Sequence, residues 1–188
     1  LLREYTILLN KANKTDEAIE IYKNIILELS DQAYAWHEFA NIFKHRNKLL
    51  SISMLCKAIT IQPNEDFLGE IRLDLAELLL DNEQLKEGLI ELTKYKKHRE
   101  EKGWKTPERF KILFSKVSDI ECSSLDNKTF YESSKLKAEE YILSNIPSTY
   151  VVLYETFKNK EGKERLIFTD FKDIEFVTNR KKSHSLVN

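Results

Sequence analysis

Three small residues, Ala18, Ser51 and Gly88, lie 33 and 37 positions apart. Each stands early in a helix-like stretch that follows a short polar turn. In front of each turn is another stretch with large apolar side chains at helical spacing. Two short amphipathic helices cannot bury their apolar faces alone, so a chain that repeats such a pair must stack the copies. This spacing restricts the chain to a run of helix pairs sharing one core.

The central copy, residues 33–63, shows the pattern most fully. Trp36, Phe39, Ala40 and Phe43 fall at i, i+3, i+4 and i+7, one face of a helix. A turn follows at Arg46-Asn47-Lys48. Ser51, Leu55, Ala58 and Ile59 continue at the same spacing in a second amphipathic helix that Pro63 stops. In the first copy Leu2, Tyr5, Thr6 and Leu9 take the places of Trp36, Phe39, Ala40 and Phe43. Thr15 is the expected cap of its second helix, in which Ala18, Tyr22 and Ile25 recur. Asp31 is the expected cap of the central copy. In the third copy Leu75, Ala76 and Leu79 match Phe39, Ala40 and Phe43, Asp81-Asn82-Glu83 is the turn, and Leu92 and Tyr95 follow Gly88. Its last helix runs to Gly103, which suits a left-handed cap.

This order of large, small and aromatic residues, closing on Ala58 and Pro63, resembles the tetratricopeptide repeat, whose period is about 34 residues. The central copy departs from it in a turn one residue short and in Ser51 where the family usually has Ala. The resemblance implies a right-handed helical solenoid of three pairs over residues 1–103 and a scaffold that binds other proteins in its concave groove. The first helix of each pair would line that groove. Its polar residues are Tyr34, His37, Glu38, Asn41, Lys44 and His45 in the central copy and Glu70, Asp74 and Glu77 in the third. Glu38, Glu70 and Asp74 occupy positions that carry Lys and Arg in members that clamp a peptide carboxylate. That clamp is therefore not carried over, and an acidic groove wall favours a basic or neutral peptide. Asn41 is the residue best suited to bond a ligand backbone.

Residues 104–146 keep helical character without the repeat and read as capping and linker helices. Thr106-Pro107-Glu108 reads as an N-cap, a first-turn Pro and an acid. Phe110, Leu113, Phe114 and Val117 then form the stripe of a helix expected to cap the array. Residues 118–129 read as a loop. A second helix over about 130–143 has Tyr131, Leu136, Ala138, Tyr141 and Ile142 as its apolar positions. From residue 147 the chain turns strand-like, with Asn159-Lys160-Glu161-Gly162 as a turn, giving a small antiparallel β element over 147–188. The whole order is faintly similar to bacterial tetratricopeptide proteins that carry an oligonucleotide-binding or cold-shock-like β module, some linked to conflict systems. The β part here is too short for a complete five-stranded barrel.

No phosphate loop, HExxH, nucleophile elbow or zinc-ligand spacing is present. His37, His45, His98 and His184 have no ligand-spaced partners and read as solvated, so neither metal nor cofactor is expected and the chain is not read as an enzyme. Cys56 reads as a small core residue. With Cys122 far from it, the pair suits a reducing, cytoplasmic compartment. No apolar run reaches the ~20 residues of a membrane span. The chain opens on Leu1-Leu2 inside an amphipathic pattern and without Met, and so reads as cut from a longer protein; an original targeting segment stays open.

Charge is unevenly placed. Residues 1–93 carry a net −6, residues 94–116 a net +6 and residues 117–188 a net −1. The basic segment places Lys96, Lys97, Arg99, Lys102, Lys105 and Arg109 among Tyr95, Trp104 and Phe110. Cations beside a stacking aromatic suit single-stranded nucleic acid. The same residues serve first as the cationic end of a helix, whose dipole favours them there, and also as a match for an acidic protein surface. The expected function is a non-catalytic adaptor holding a partner peptide or helix. The alternatives are a nucleic-acid-associated protein and the regulatory arm of a larger enzyme.

Overall fold

In the computed structural model, residues 2–120, 126–144, 151–170 and 175–179 are described. Cys122, His184, and part of the expected loop lie outside them. The described chain is mainly helical with a small antiparallel sheet. It forms two compact units, residues 1–144 and residues 145–188.

In the first unit, α1 (Leu2–Lys11) pairs with α2 (Thr15–Glu28), α3 (Ala33–Phe43) with α4 (Lys48–Ile61), and α5 (Gly69–Leu80) with α6 (Leu85–Glu101). Neighbouring pairs pack in chain order, α2 on α3 and α4 on α5. The small residues mark where helices of a pair come closest. Ser51 is buried and its Oγ donates to the Ala40 carbonyl at 2.8 Å. At Gly88 an added Cβ would lie 2.7 Å from Leu80 Cδ2 and 3.6 Å from the Ala76 carbonyl. Ala18 is wholly buried.

Three helix ends close in the same way, with a left-handed residue and a backbone bond spanning five residues. Asn13, Glu83 and Gly103 have φ of 60°, 61° and 67°, and the following N–H groups of Lys14, Gln84 and Trp104 reach Leu9, Leu79 and Arg99. Gly103 adopts this conformation without a Cβ penalty. The central turn uses another device: Asn47 caps α4 by accepting from the Leu50 N–H at 3.1 Å.

Several expected caps differ. Lys14 and not Thr15 precedes α2, and Thr15 Oγ1 donates to Asn10 instead. Gln32 and not Asp31 precedes α3, without a side-chain cap. Pro107 stands one place outside α7 (Glu108–Ser115), because its extended ψ of 161° belongs to a cap residue. In the first copy Thr6 and Leu9 are buried, whereas Leu2 and Tyr5 are exposed, since no element covers that side of α1 among the described residues.

The larger departure concerns α4. It is not an amphipathic helix: Leu50 to Cys56, Ala58 and Ile59 are all buried. Its outer side is covered by α8 (Lys128–Leu143), which returns along the array to pack on α4 and α2. Tyr131, Ala138 and Ile142 enter the main core, and Tyr141 meets Phe43 edge-on at 5.4 Å. Leu136, expected on the apolar side, is half exposed because it faces away from this seam. Lys57, the one charged residue of α4 past its first turn, pairs with Glu139 on α8. Cys56 is wholly buried and burial pushes its thiol pKa up. Meanwhile Phe110 and Leu113 of α7, and Val117 in the turn just past its end, pack with Leu73, Leu92 and Tyr95 in a second core, so the expected stripe outruns the helix by one turn.

A buried polar cluster ties these elements together. Glu91 is wholly buried and Arg72 nearly so. Arg72 Nη1 donates to Glu91 Oε2 at 2.6 Å and to the Tyr131 hydroxyl at 3.2 Å. Its Nε and Nη2 donate to Glu65 at 3.0 and 2.7 Å. Asn127 Nδ2 donates to Glu91 Oε1 at 2.6 Å and to the Glu87 carbonyl at 3.0 Å, and Tyr131 also donates to Glu91.

The second unit is a three-stranded antiparallel sheet in the order β1 (Val151–Lys158), β2 (Glu164–Asp170), β3 (Glu175–Asn179). A bulge interrupts β1 between Leu153 and Glu155. The turn is held by Asn159 Oδ1, which accepts from Glu161 and Lys163, and by Gly162 at φ 74°. Leu166 and Phe168 alternate as the buried positions of β2.

Removing one member of the buried cluster leaves an uncompensated charge. Glu91→Ala is expected to destabilise the chain by about 3 kcal/mol in urea unfolding, with Arg72→Met in the same chain restoring much of the loss.

Candidate functional site

The polar residues from Tyr34 to His45, on α3 and the turn that follows it, recur at helical spacing, and Glu70, Asp74 and Glu77 lie at i, i+4 and i+7 on α5. Each helix therefore presents one polar face. The structure brings these faces together through ion pairs that step from one first helix to the next. Arg3 on α1 grips Glu38 on α3 with Nε at 2.8 Å and Nη2 at 2.5 Å. His37 on α3 meets Asp74 on α5 at 2.6 Å, and Lys44 meets Glu77 at 2.6 Å. Arg109 on α7 then closes the ladder, with Nη2 2.5 Å from Asp74 and 2.7 Å from Glu77, and Nη1 3.5 Å from Glu70. The pairs Arg3–Glu38, His37–Asp74, Lys44–Glu77 and Asp74–Arg109 are 35, 37, 33 and 35 residues apart, one repeat each.

The carboxylates are held ionised. Burial raises the Glu38 pKa, but hydrogen bonds from Arg3 and Tyr22 outweigh it and the net shift is down. Asp74 shows the same balance, with burial opposed by His37 and Arg109, and Glu77 likewise with Lys44 and Arg109. The Tyr22 hydroxyl, buried and donating to Glu38 at 2.7 Å, is pushed up.

The expected acidic groove wall is thus neutralised by the chain's own cations. His37 is not a solvated histidine, since Asp74 holds it. Nor is His98, which meets Asp66 at 2.9 Å and the Trp104 ring edge-on at 5.8 Å. His45 is exposed. Tyr34 is exposed on one side and carries the Arg3 guanidinium 4.5 Å from its ring centre. Asn41 is exposed and its side chain makes no hydrogen bond among the described residues. Two members of the ladder, Arg3 and Arg109, were not singled out for this face. Their signal was opposite charges one repeat apart, legible only once the repeats are aligned.

The basic segment is spread over several surroundings. Arg109 belongs to the ladder. Lys102 pairs with Asp66 at 2.9 Å. Arg99 lies 5.5 Å from the ring centres of both Tyr95 and Trp104 and donates to the Lys105 carbonyl. Lys96 and Lys97 are exposed and make long pairs with Glu100 and Glu101, at 3.8 and 3.9 Å, and Lys96 also lies 5.6 Å from the Phe114 ring centre. Trp104 and Lys105 are exposed. Among the described residues no group of three His, Cys, Asp or Glu side chains is placed to hold a metal ion, and no helix is long and apolar enough to cross a membrane.

Residues 4–138 match a protein family described as a domain of unknown function, DUF7017. The chain belongs to that family. The matched segment runs from α1 into α8, so the family unit takes in the returning helix as well as the three pairs. No curated protein matches the chain.

The lowered carboxylate pKa values carry a sign. Stability from Glu38, Glu77 and Asp74 is fully present above their ordinary values of 4.5, 4.5 and 3.8, and is lost as pH falls below these toward the folded values. Thermal unfolding followed by circular dichroism from pH 7 to pH 3 should show this acid loss, and Asp74→Asn with Glu77→Gln should flatten it.

Proposed function

We propose that this protein is a non-catalytic recognition platform, a tetratricopeptide-like array that holds a peptide or helix of a partner protein against the face formed by α1, α3 and α5. The observation that carries the reading is the ion-pair ladder. It ties the first helix of each pair to the next, so the face is fixed before a partner arrives and little ordering is needed on binding. With its charges paired internally, that face offers a partner the exposed Tyr34, Asn41 and His45 rather than a field of one sign. Recognition then rests on aromatic contact and backbone hydrogen bonding more than on charge attraction. The setting read for it is the cytoplasm.

Nucleic-acid binding has less support. Arg109, Lys102 and Arg99 are engaged within the chain, which leaves Lys96, Lys97 and Lys105 as the more accessible of the six cations named for it. A few phosphate contacts give weak, strongly salt-dependent affinity.

Photo-crosslinking residues placed at Asn41 and at the exposed Leu27 of α2 separate the two surfaces. Partner adducts are expected at Asn41 and not at Leu27, and Asn41→Arg should weaken capture about tenfold without lowering the melting temperature. Adducts only at Leu27, or equal adducts at both, would overturn the proposal.

A further inference from the structure

We infer that the outer edge of β1 pairs antiparallel with β1 of a second copy of this chain. In the sheet order β1-β2-β3, β1 meets β2 on one side only. Along its other side the backbone N–H and C=O groups have no strand to pair with among the described residues. Such a row of alternating donors and acceptors is a template for another strand. Sheets blunt a free edge with Pro, with Lys or by keeping the strand very short. β1 is eight residues long, has no Pro and carries its one Lys at the last position, Lys158. The bulge between Leu153 and Glu155 is the one irregularity inside it. Every residue from Val152 to Lys158 is exposed, and the apolar ones are so by 59% at Val152, 50% at Leu153, 68% at Tyr154 and 38% at Phe157.

The strand's own register names the occupant. Leu153 stands opposite Phe168 and Thr156 opposite Leu166, so these four share the face on which β2 buries its side chains. Val152, Glu155 and Phe157 stand opposite Thr169, Ile167 and Arg165 on the other face. Directly opposed residues point to the same side, so a partner strand must match β1 face for face. Two copies of β1 overlapped along their whole length set Val152 against Phe157, Leu153 against Thr156 and Tyr154 against Glu155, each pair twice about a two-fold axis. In the first two pairs the faces agree. Phe168 and Leu153 then continue into Thr156 and Leu166 of the second copy, one row joining the buried positions of both sheets. No like charges are opposed.

Other registers lose this match. A slip of one residue either way sets the two faces against each other, and in one direction it opposes Glu155 to Glu155. A slip of two residues sets Leu153 against Lys158 or Val152 against Glu155. Full overlap, agreement of faces and separation of charges thus coincide in a single register of the strand with itself. A strand shaped for an unrelated partner has no need to match its own sequence in this way.

This pairing is independent of the partner-binding face. Sedimentation velocity of the full chain from about 1 μM to about 1 mM should show a reversible monomer–dimer equilibrium. Leu153→Lys places a charge in the shared row twice and should weaken the dimer about tenfold or more, with an unchanged far-ultraviolet spectrum, while Leu153→Val keeps it. The register is read by cysteines in a Cys122→Ser chain, Cys56 being wholly buried. Val152→Cys combined with Phe157→Cys should oxidise to a covalent dimer. Neither substitution alone should, because each residue lies about 17 Å from its own copy in this register. A chain that stays monomeric throughout overturns the inference. So does a dimer indifferent to Leu153→Lys, one lost instead on Leu8→Lys in the exposed ridge of α1, or equal crosslinking by the single variants.

Discussion

Glu91 is a carboxylate with no access to water, and the arrangement of α5, α6 and α8 depends on how it is satisfied. Desolvating such a group costs several kcal/mol unless a cation and further donors meet it. Arg72 brings α5, Tyr131 brings α8, and Asn127 brings the segment before α8. Arg72 in turn needs Glu65, so the 3-10 turn before α5 is drawn in as well. In the repeat register Arg72 stands where the central copy has Trp36, 36 residues earlier. Trp36 fills that place as an apolar ring with one hydrogen bond, from Nε1 to the Ser30 carbonyl at 2.8 Å. A buried ion cluster in place of a ring makes the third pair different from the second and gives α8 a specific place to dock.

Once α8 is docked, α4 has neighbours on three sides, α3, α5 and α8. That accounts for a helix buried all round and for Lys57 meeting Glu139 rather than water. It also separates the two faces of the array. One side is covered by α8, while the side built from α1, α3, α5 and α7 is polar and held by the ion-pair ladder. A face braced in this way presents Tyr34 and Asn41 in fixed positions.

Much of the fold was legible because it rests on short-range rules. Helix periodicity and the markers Ala18, Ser51 and Gly88 locate the three pairs, and Gly103 and Pro63 locate two of their ends. Caps were less legible. Thr15 and Asp31 are capable residues one place away from the positions used, and backbone geometry at a helix start decides among adjacent candidates. The polar faces of α3 and α5 were legible as sets of residues. Their being already neutralised was not, because Arg3 and Arg109 come from elements more than thirty residues away.

The amino-acid sequence by itself determined that helix pairs must form and must stack, because spacing of apolar and small residues acts within a few turns of chain. Only the tertiary structure decided which charges stay exposed and which face each other, and that α8 folds back over α4. Those outcomes hang on long-range desolvation and pairing. The same Glu or His costs little in water and is held firmly beside a cation or carboxylate one repeat away.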